Sequence, residues 1–375
     1  MINRANTHFP GADRRLDRRT ALDLFRSAPL GELMTRAHAE RMRRYPDPTV
    51  TFVFDTNPNY TNVCVTQCRF CAFCRPPGDA RACTLSPGQV AVKVRQAAEA
   101  GATTVLLQGG HNPDIRLQDW LDYISAIQSA APEIHIHPFS PAEYVFMAQT
   151  EGCSVEEVLR AVYETGVRTI PGGGAEVLTE SVRRRIAPRK ATAEQWLSVC
   201  GKAHVMGFRT TATLMFGHVE TDADIVEHLL ALRGLQDRTG GFTSFIAWSF
   251  KPGGNPLGEQ VRHGAHPAKY VRIISLARLV LDNFDHIQSS WFSENVAAGQ
   301  LGLLAGADDF GGILVEENVL QKAGHQRSTT EEKVKTIIRR TGFTPAQRDS
   351  HYRVLKIFDP PGVPGIDAEA NALSE

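Results

Sequence analysis

From residue 51 onward, short apolar runs alternate with longer stretches of helical periodicity. The longer stretches carry apolar residues three or four positions apart, which is the spacing of one helix face. The short runs predict eight strands, of which the last has the weakest pattern: Thr51–Phe54, Thr104–Leu107, Ile134–His137, Arg168–Ile170, Thr210–Phe216, Thr243–Trp248, Ile287–Trp291 and Asp308–Phe310. Because a helical stretch separates one strand from the next, the order predicts parallel βαβ units and an α/β fold, a TIM-type (β/α)8 barrel.

The chain divides into four predicted regions. Residues 1–45 are rich in charge and contain two helical segments, near Arg18–Ala28 and Leu30–Arg43. Residues 46–325 form the barrel, and residues 326–358 are predicted to be a C-terminal helical segment. Residues 359–375, rich in Pro, Gly and Ala, are predicted to be a flexible tail. No fixed-period repeat and no low-complexity linker divides the barrel region.

Polar and Gly-rich segments follow the predicted strands, where barrel enzymes place their active sites. The pair Gly109-Gly110 and the run Gly172–Gly174 fit either tight turns or close approach of backbone to a ligand. Other polar residues in or beside these loops are candidates for structural hydrogen bonds or for proton transfer, and histidine suits both roles. They are His111, His135, His137 and His218, with Glu294 and Asp309 as further candidate proton acceptors.

Composition narrows the class of protein. The chain has 375 residues, 42% of them hydrophobic, and a formal net charge of zero, so no polyanionic partner such as nucleic acid is expected. No run of about 18 apolar residues occurs, so no membrane span is expected. Seven cysteines, an odd number, with no apolar leader at the start predict reduced thiols and a cytoplasmic location.

Three of these cysteines form the most specific motif. Cys64, Cys68 and Cys71 have the spacing C-x3-C-x2-C, and three thiolates in one loop can hold three irons of a 4Fe–4S cluster. Two alternatives remain open at this point. A zinc site would use Cys74 or Cys83 as a fourth ligand. A different register, Cys68, Cys71 and Cys74, matches part of the bacterial ferredoxin pattern.

With Phe70 before its last cysteine, the motif resembles that of the radical S-adenosylmethionine superfamily, C-x3-C-x-aromatic-C. The resemblance implies that Cys64, Cys68 and Cys71 bind the cluster. The open iron would chelate S-adenosylmethionine, and an electron donor such as flavodoxin or ferredoxin would drive its cleavage to methionine and a 5′-deoxyadenosyl radical. The resemblance also implies a set of cofactor-binding residues: Phe70 by the adenine, Gln108, Gly109 and Gly110 at the methionine end, Glu176 at the ribose or amino group, and Glu220 in a G-x-x-E element supporting the adenine site.

A longer resemblance, over residues 50 to 355, is to the cyclic dehypoxanthinyl futalosine synthases of menaquinone biosynthesis. It rests on runs that include Asn59–Cys64, Leu107–Pro113, Pro171–Glu176, Thr211–Glu220, Gln236–Phe242, Leu281–Phe284 and Phe343–Asp349. It implies a futalosine-derived nucleoside-like substrate, whose sugar loses hydrogen at C4′ before the sugar carbon joins the arene. Arg75 and Arg278 are candidate partners for a substrate carboxylate.

Two departures from that family keep alternatives open. Cys74 replaces the usual Tyr, and Arg81-Ala82-Cys83 replaces the usual Glu-Gly-Tyr. A related radical enzyme of the aminofutalosine synthase or deazaflavin-precursor type is therefore a second hypothesis. A non-enzymatic iron–sulfur or zinc-binding module is a third.

Overall fold

The computed structural model describes residues 15–317, 319–324 and 329–358. The predicted tail, residues 359–375, lies outside the described residues. Within them the strands are β1 Thr49–Asn57, β2 Thr104–Leu107, β3 His135–Pro138, β4 Thr169–Ile170, β5 Arg209–Phe216, β6 Phe242–Ser249, β7 His286–Gln288, β8 Asp309–Glu317, β9 Thr344–Arg348 and β10 Val354–Ile357. The helices are α1 Arg18–Ser27, α2 Leu30–Arg44, α3 Pro87–Glu99, α4 Leu117–Ala130, α5 Pro141–Glu151, α6 Val155–Glu164, α7 Glu180–Ile186, α8 Ala193–Val205, α9 Asp222–Thr239, α10 Pro256–Gln260, α11 Pro267–Val280, α12 Val296–Leu304, α13 Val319–Lys322 and α14 Glu331–Arg339.

The first eight strands form the predicted parallel barrel. Hydrogen-bonded pairing runs β3-β2-β1-β8-β7-β6-β5-β4, and every pairing in that series is parallel. β3 and β4 lie side by side without backbone pairing. His135 Nε2 and His137 Nδ1 each lie 2.7 Å from the hydroxyl of Thr169, so side chains bridge this seam. The two histidines therefore face the same way, toward β4.

Local signals explain where the helices begin. Thr221 precedes α9 as predicted, and its side chain accepts a hydrogen bond from the backbone N–H of Asp224 while the Asp224 carboxylate bonds back. The apolar faces of the helices then pack on the barrel. The largest buried side chains include Trp120 and Trp196 on α4 and α8.

The N-terminal helices pack against the barrel, as α2 against α11 and α1 against α9. Arg41 of α2 is fully buried, and its guanidinium donates to the carbonyls of Tyr45, Asp47 and Thr49. These bonds tie α2 to the start of β1. Within the described residues, no helix is both long enough and apolar enough to cross a bilayer.

The prediction for the C-terminal segment was incomplete, because α14 is followed by two strands. β9 pairs in parallel with the first half of β1, from Thr49 to Phe52, and β10 pairs with β9. The residues after β9 thereby reach the inside of the barrel. The eighth strand was predicted too short: it runs from Asp309 to Glu317, so Gly311 and Gly312 lie within the strand rather than beyond its end.

Candidate active site

A cavity of about 460 Å³ occupies the barrel interior. At the carboxyl ends of the strands it is lined by the cysteine loop and the loops after β2 and β4. Deeper in the barrel it is lined by Asp55, Thr104, Arg348, Ser350 and Tyr352. One chamber thus joins the cysteines to the segment after β9.

The cysteine loop is shaped by backbone bonds, which leaves its thiols available. The N–H of Cys64 donates to the carbonyl of Arg75 over 2.8 Å, and the N–H of Cys71 donates to the carbonyl of Cys68 over 3.0 Å. The Arg75 guanidinium donates to the carbonyls of Ala72, Phe73 and Cys74 and does not line the cavity. The suggestion that Arg75 receives a substrate carboxylate is therefore wrong, because this side chain braces the loop.

All three motif cysteines, Cys64, Cys68 and Cys71, face the cavity as free thiols. Within the described residues, no three His, Cys, Asp or Glu side chains are close enough to hold a single metal ion. Three thiols on one loop at the wall of a chamber are the donors that three irons of a 4Fe–4S cluster take. The donor set therefore fits the cluster implied by the motif.

Cys74 lines the same cavity beside Cys71. Hydrogen bonding from the Cys74 thiol lowers the pKa of Cys71. The choice of Cys64, Cys68 and Cys71 over the alternative register stays a prediction.

The glycines after β2 are required by packing of the chain itself. A Cβ on Gly109 would lie 2.7 Å from the Tyr60 ring, and one on Gly110 would collide with the carbonyl of Val63 and lie 3.0 Å from the Cβ of Cys64. Both glycines and Gln108 also line the cavity. The sequence left open whether these glycines form tight turns or make room for a ligand. In the structure they allow the loop after β2 to pack directly against the segment that leads into the cysteine loop.

Glu176 and Phe70 meet at a buried cation that the sequence reading missed. Lys190 Nζ lies 2.8 Å from Glu176 Oε1 and 5.6 Å from the centre of the Phe70 ring. Burial opposes the charge of Lys190, but the Glu176 carboxylate outweighs it and raises the pKa of the lysine. All three side chains line the cavity near the cysteine loop. Lys190 lies in the loop between α7 and α8, fourteen positions after Glu176. No local sequence motif could therefore have shown the pair.

Glu220 and His218 hold the loop after β5. The Glu220 carboxylate accepts from the N–H groups of Gly217 and His218 over 2.8 Å each and pairs with Lys269 Nζ at 2.7 Å. Burial lowers the pKa of His218, whose Nε2 lies 3.1 Å from the carbonyl of Met215. Neither side chain lines the cavity, so Glu220 would support a cofactor only through its loop.

The other two candidate proton acceptors are also engaged elsewhere. Glu294 accepts from the N–H and hydroxyl of Ser249 over 2.7 and 2.9 Å. Asp309 is fully buried and forms a two-pronged pair with Arg348, at 2.5 and 3.0 Å. Neither lines the cavity. Asp309 was a candidate because the eighth strand was predicted to end at Phe310, which put Asp309 near the strand tip, whereas it is the first residue of β8.

Arg278 does not reach the cavity either. It is fully buried at the opposite end of the barrel, where it pairs with Asp308 and donates to the carbonyl of Gly306 over 2.7 Å. The suggestion that it binds a substrate carboxylate is therefore wrong. His111 does line the cavity, stacked on Phe146 with ring centres 4.8 Å apart, and burial lowers its pKa to about 3. It is neutral at physiological pH.

Comparison with known proteins places this geometry in a family. A profile of the radical SAM superfamily matches residues 58–232, and one described as the CofH/MqnC C-terminal region matches residues 239–360. A cyclic dehypoxanthine futalosine synthase of Streptomyces coelicolor is 39% identical over 350 residues, which cover 92% of this chain and 87% of that protein. A 5-amino-6-(D-ribitylamino)uracil–L-tyrosine 4-hydroxyphenyl transferase of Methanopyrus kandleri is 38% identical over 348 residues, covering 92% and 94%.

Solved structures agree on the fold. Methylornithine synthase superposes with a TM-score of 0.66 at 19% identity, covering 89% of this chain and 95% of that one. The hydrogenase maturase HydG of Carboxydothermus hydrogenoformans gives 0.69 at 18%, covering 91% and 78%. These confirm the predicted barrel. The family uses a 4Fe–4S cluster and S-adenosylmethionine, as the motif implied. The chain is an enzyme of the radical S-adenosylmethionine superfamily, in the group that contains the cyclic dehypoxanthine futalosine synthases and the 4-hydroxyphenyl transferases.

Proposed function

We propose that this enzyme cyclises dehypoxanthine futalosine, joining C4′ of its sugar to its aromatic ring. The observation that carries the proposal is the similarity, along 92% of the chain, to a synthase of that reaction. Bound at the cysteine loop, the cluster and S-adenosylmethionine supply a hydrogen-abstracting 5′-deoxyadenosyl radical. The protein's own task is to hold one flexible substrate so that its two ends meet.

The lining of the cavity supports that task. Apolar and aromatic side chains form much of its wall: Val53, Phe70, Phe73, Leu106, Ile246, Trp248, Trp291, Phe292 and Phe310. Such a wall packs against an arene and excludes water from a reactive carbon. The polar residues deeper in the barrel suit the hydroxyls of a sugar. A chamber with these two regions favours a folded substrate whose reacting carbons are held close together.

Cys64, Cys68 and Cys71 would hold the cluster. The Lys190–Glu176 pair and Phe70 would contact S-adenosylmethionine, because they lie on the cavity wall beside the cysteines. Breaking a buried ion pair leaves one charge uncompensated, so the pair also fixes the loop after β4. Of the candidate proton acceptors, His111 and His137 line the cavity, whereas His218, Glu294 and Asp309 do not.

Transfer of a 4-hydroxyphenyl group to 5-amino-6-(D-ribitylamino)uracil is the second candidate. It is favoured by the 38% identity to the enzyme from Methanopyrus kandleri, over as much of the chain. That reaction takes two substrates, one of them L-tyrosine. The cyclisation takes one.

The deciding experiment uses anaerobically reconstituted enzyme and dehypoxanthine futalosine deuterated at C4′. Deuterium in 5′-deoxyadenosine, with cyclic product formed in step with methionine, would support the cyclase. A parallel reaction contains L-tyrosine and the ribitylaminouracil. Product in that reaction alone, with no label transfer from the futalosine compound, would replace the proposal by the transferase.

A further inference from the structure

The carboxylate of Asp55 on β1 is an unpaired acceptor inside the cavity. Asp55 lines the cavity and is 6% exposed, and its Oδ1 has no hydrogen-bond partner among the described residues. A buried carboxylate oxygen without a donor is costly, and such groups are rarely left so in native proteins. The position therefore indicates a donor that arrives with a ligand.

Arg348 is the cation that acts on Asp55, but its guanidinium is hydrogen-bonded to other groups. Arg348 influences the carboxylate electrostatically, but its guanidinium donates to both oxygens of Asp309 and to the carbonyl of Asp349. Asp309 also acts on Asp55, as a second negative charge. Since a positive charge already faces the carboxylate, a neutral donor suits the site better than a second cation.

Space for this carboxylate depends on a glycine of the neighbouring strand. A Cβ on Gly312 of β8 would lie 2.5 Å from Asp55 Oδ1 and 2.9 Å from its Oδ2. Other polar groups lie at the same depth in the cavity: the hydroxyls of Thr104 and Ser350, 3.0 Å apart, and the Tyr352 hydroxyl, which is buried without a partner among the described residues. Asp55 Oδ1 thus lies in a polar part of the cavity, but none of these hydroxyls donates to it.

We propose that the Asp55 carboxylate accepts a hydrogen bond from a sugar hydroxyl of the substrate and so selects a hydroxylated ligand at the deep end of the cavity. Whether ionised or protonated, an aspartate carboxyl keeps an oxygen that accepts a hydrogen bond, and a hydroxyl is the neutral donor that a sugar or sugar alcohol provides. The inference rests on the proposed function for the identity of that sugar. Sites built to bond a substrate hydroxyl reject analogues that lack it.

The test compares wild-type enzyme, Asp55→Asn and Asp55→Leu, each with its cluster reconstituted and oxidised and with S-adenosylmethionine present. Calorimetry measures binding of dehypoxanthine futalosine and of analogues that each lack one sugar hydroxyl. Asp55→Asn should raise Kd by about 10- to 100-fold for the intact compound, the range for a hydrogen bond to a charged group. One analogue should bind wild type and variant equally.

Two comparisons keep the test decisive. Gly312→Ala keeps the carboxylate but crowds it, and should give the same analogue-dependent loss. Asp122→Asn removes an exposed carboxylate on α4 and should leave every Kd unchanged. Equal binding of the intact compound by Asp55→Asn and wild type, or an equal loss for every analogue, would overturn the inference.

Failure of the proposed function gives a different result. If wild type binds no dehypoxanthine futalosine, the cyclase proposal fails, and the same series is run with 5-amino-6-(D-ribitylamino)uracil and its deoxyribityl analogues. An Asp55-dependent preference for one hydroxyl in that series would sustain the inference. Its absence in both series would end it.

Discussion

Ionisation of Asp55 should make the fold less stable as pH rises, because its carboxylate lies where burial disfavours the charged form. Burial raises the pKa of Asp55 from 3.8 to about 7, with Arg348 opposing the shift. A raised pKa means that the folded state binds the proton more tightly. The resulting stability is complete below the unfolded pKa, near 4, and is lost as pH rises through the folded value.

The magnitude follows from the two pKa values. At pH 5 the ionisation of Asp55 has removed about 2 kcal/mol of stability, and at pH 8 about 4 kcal/mol. Asp55→Asn does not titrate, and its own unpaired amide adds a cost that is the same at both pH values. The stability difference between variant and wild type should therefore move in favour of the variant by about 2–3 kcal/mol from pH 5 to pH 8.

The assay is thermal unfolding of ligand-free, cluster-reconstituted protein under anaerobic conditions, at one scan rate, from pH 5 to pH 8. For a chain of 375 residues, 1 kcal/mol corresponds to about 1 °C, so the midpoint difference should shift by about 2–4 °C toward the variant. Asp122→Asn, which removes an exposed carboxylate, should show no such trend. A midpoint difference that is constant with pH, or that moves toward wild type, would refute the assignment of a raised pKa to Asp55.

Three further outcomes follow from the site. Cys64→Ala should lose iron and cofactor cleavage while Cys74→Tyr keeps both, as measured by iron content and methionine release; the reverse result would favour the other cysteine register. Gly110→Val should lose iron as well as S-adenosylmethionine binding, because its side chain would push on the cysteine loop; retained iron would limit that glycine to the cofactor. Lys190→Met should lower stability by about 3–5 kcal/mol by leaving the Glu176 charge unpaired. Adding Glu176→Gln should restore the thermal midpoint but not calorimetric binding of S-adenosylmethionine.

Much of the barrel could be read from the sequence because its signals are local. The strand Thr104–Leu107 was predicted with the bounds that the structure shows, since four apolar or β-branched residues follow a turn. The cysteine motif is equally local. The end of β8 was predicted too early because Gly311-Gly312 has the composition of a turn, whereas these glycines lie within the strand.

What could not be read depends on residues that meet only in the folded chain. β9 contains Pro and Gln and has no apolar alternation; it is a strand because it pairs with β1. Asp55 directly follows the apolar run Thr51–Phe54, and nothing in that run shows that the Asp55 side chain faces a cavity rather than a helix. Lys190 and Glu176 lie on either side of α7 in the sequence, so no residue spacing predicts that they pair.

The two ends of the cavity come from different parts of the chain, and this sets an order of assembly. The cysteine loop, the glycine pair and Glu176 all precede residue 232, whereas Arg348 ends β9 and Ser350 and Tyr352 follow it. A ribosome therefore releases the radical-generating machinery well before the segment that closes the base of the barrel. A chain interrupted before β9 would lack the residues that line the deep end of the cavity, Arg348, Ser350 and Tyr352. The chamber that would enclose the substrate is thus complete only when the last strands have formed.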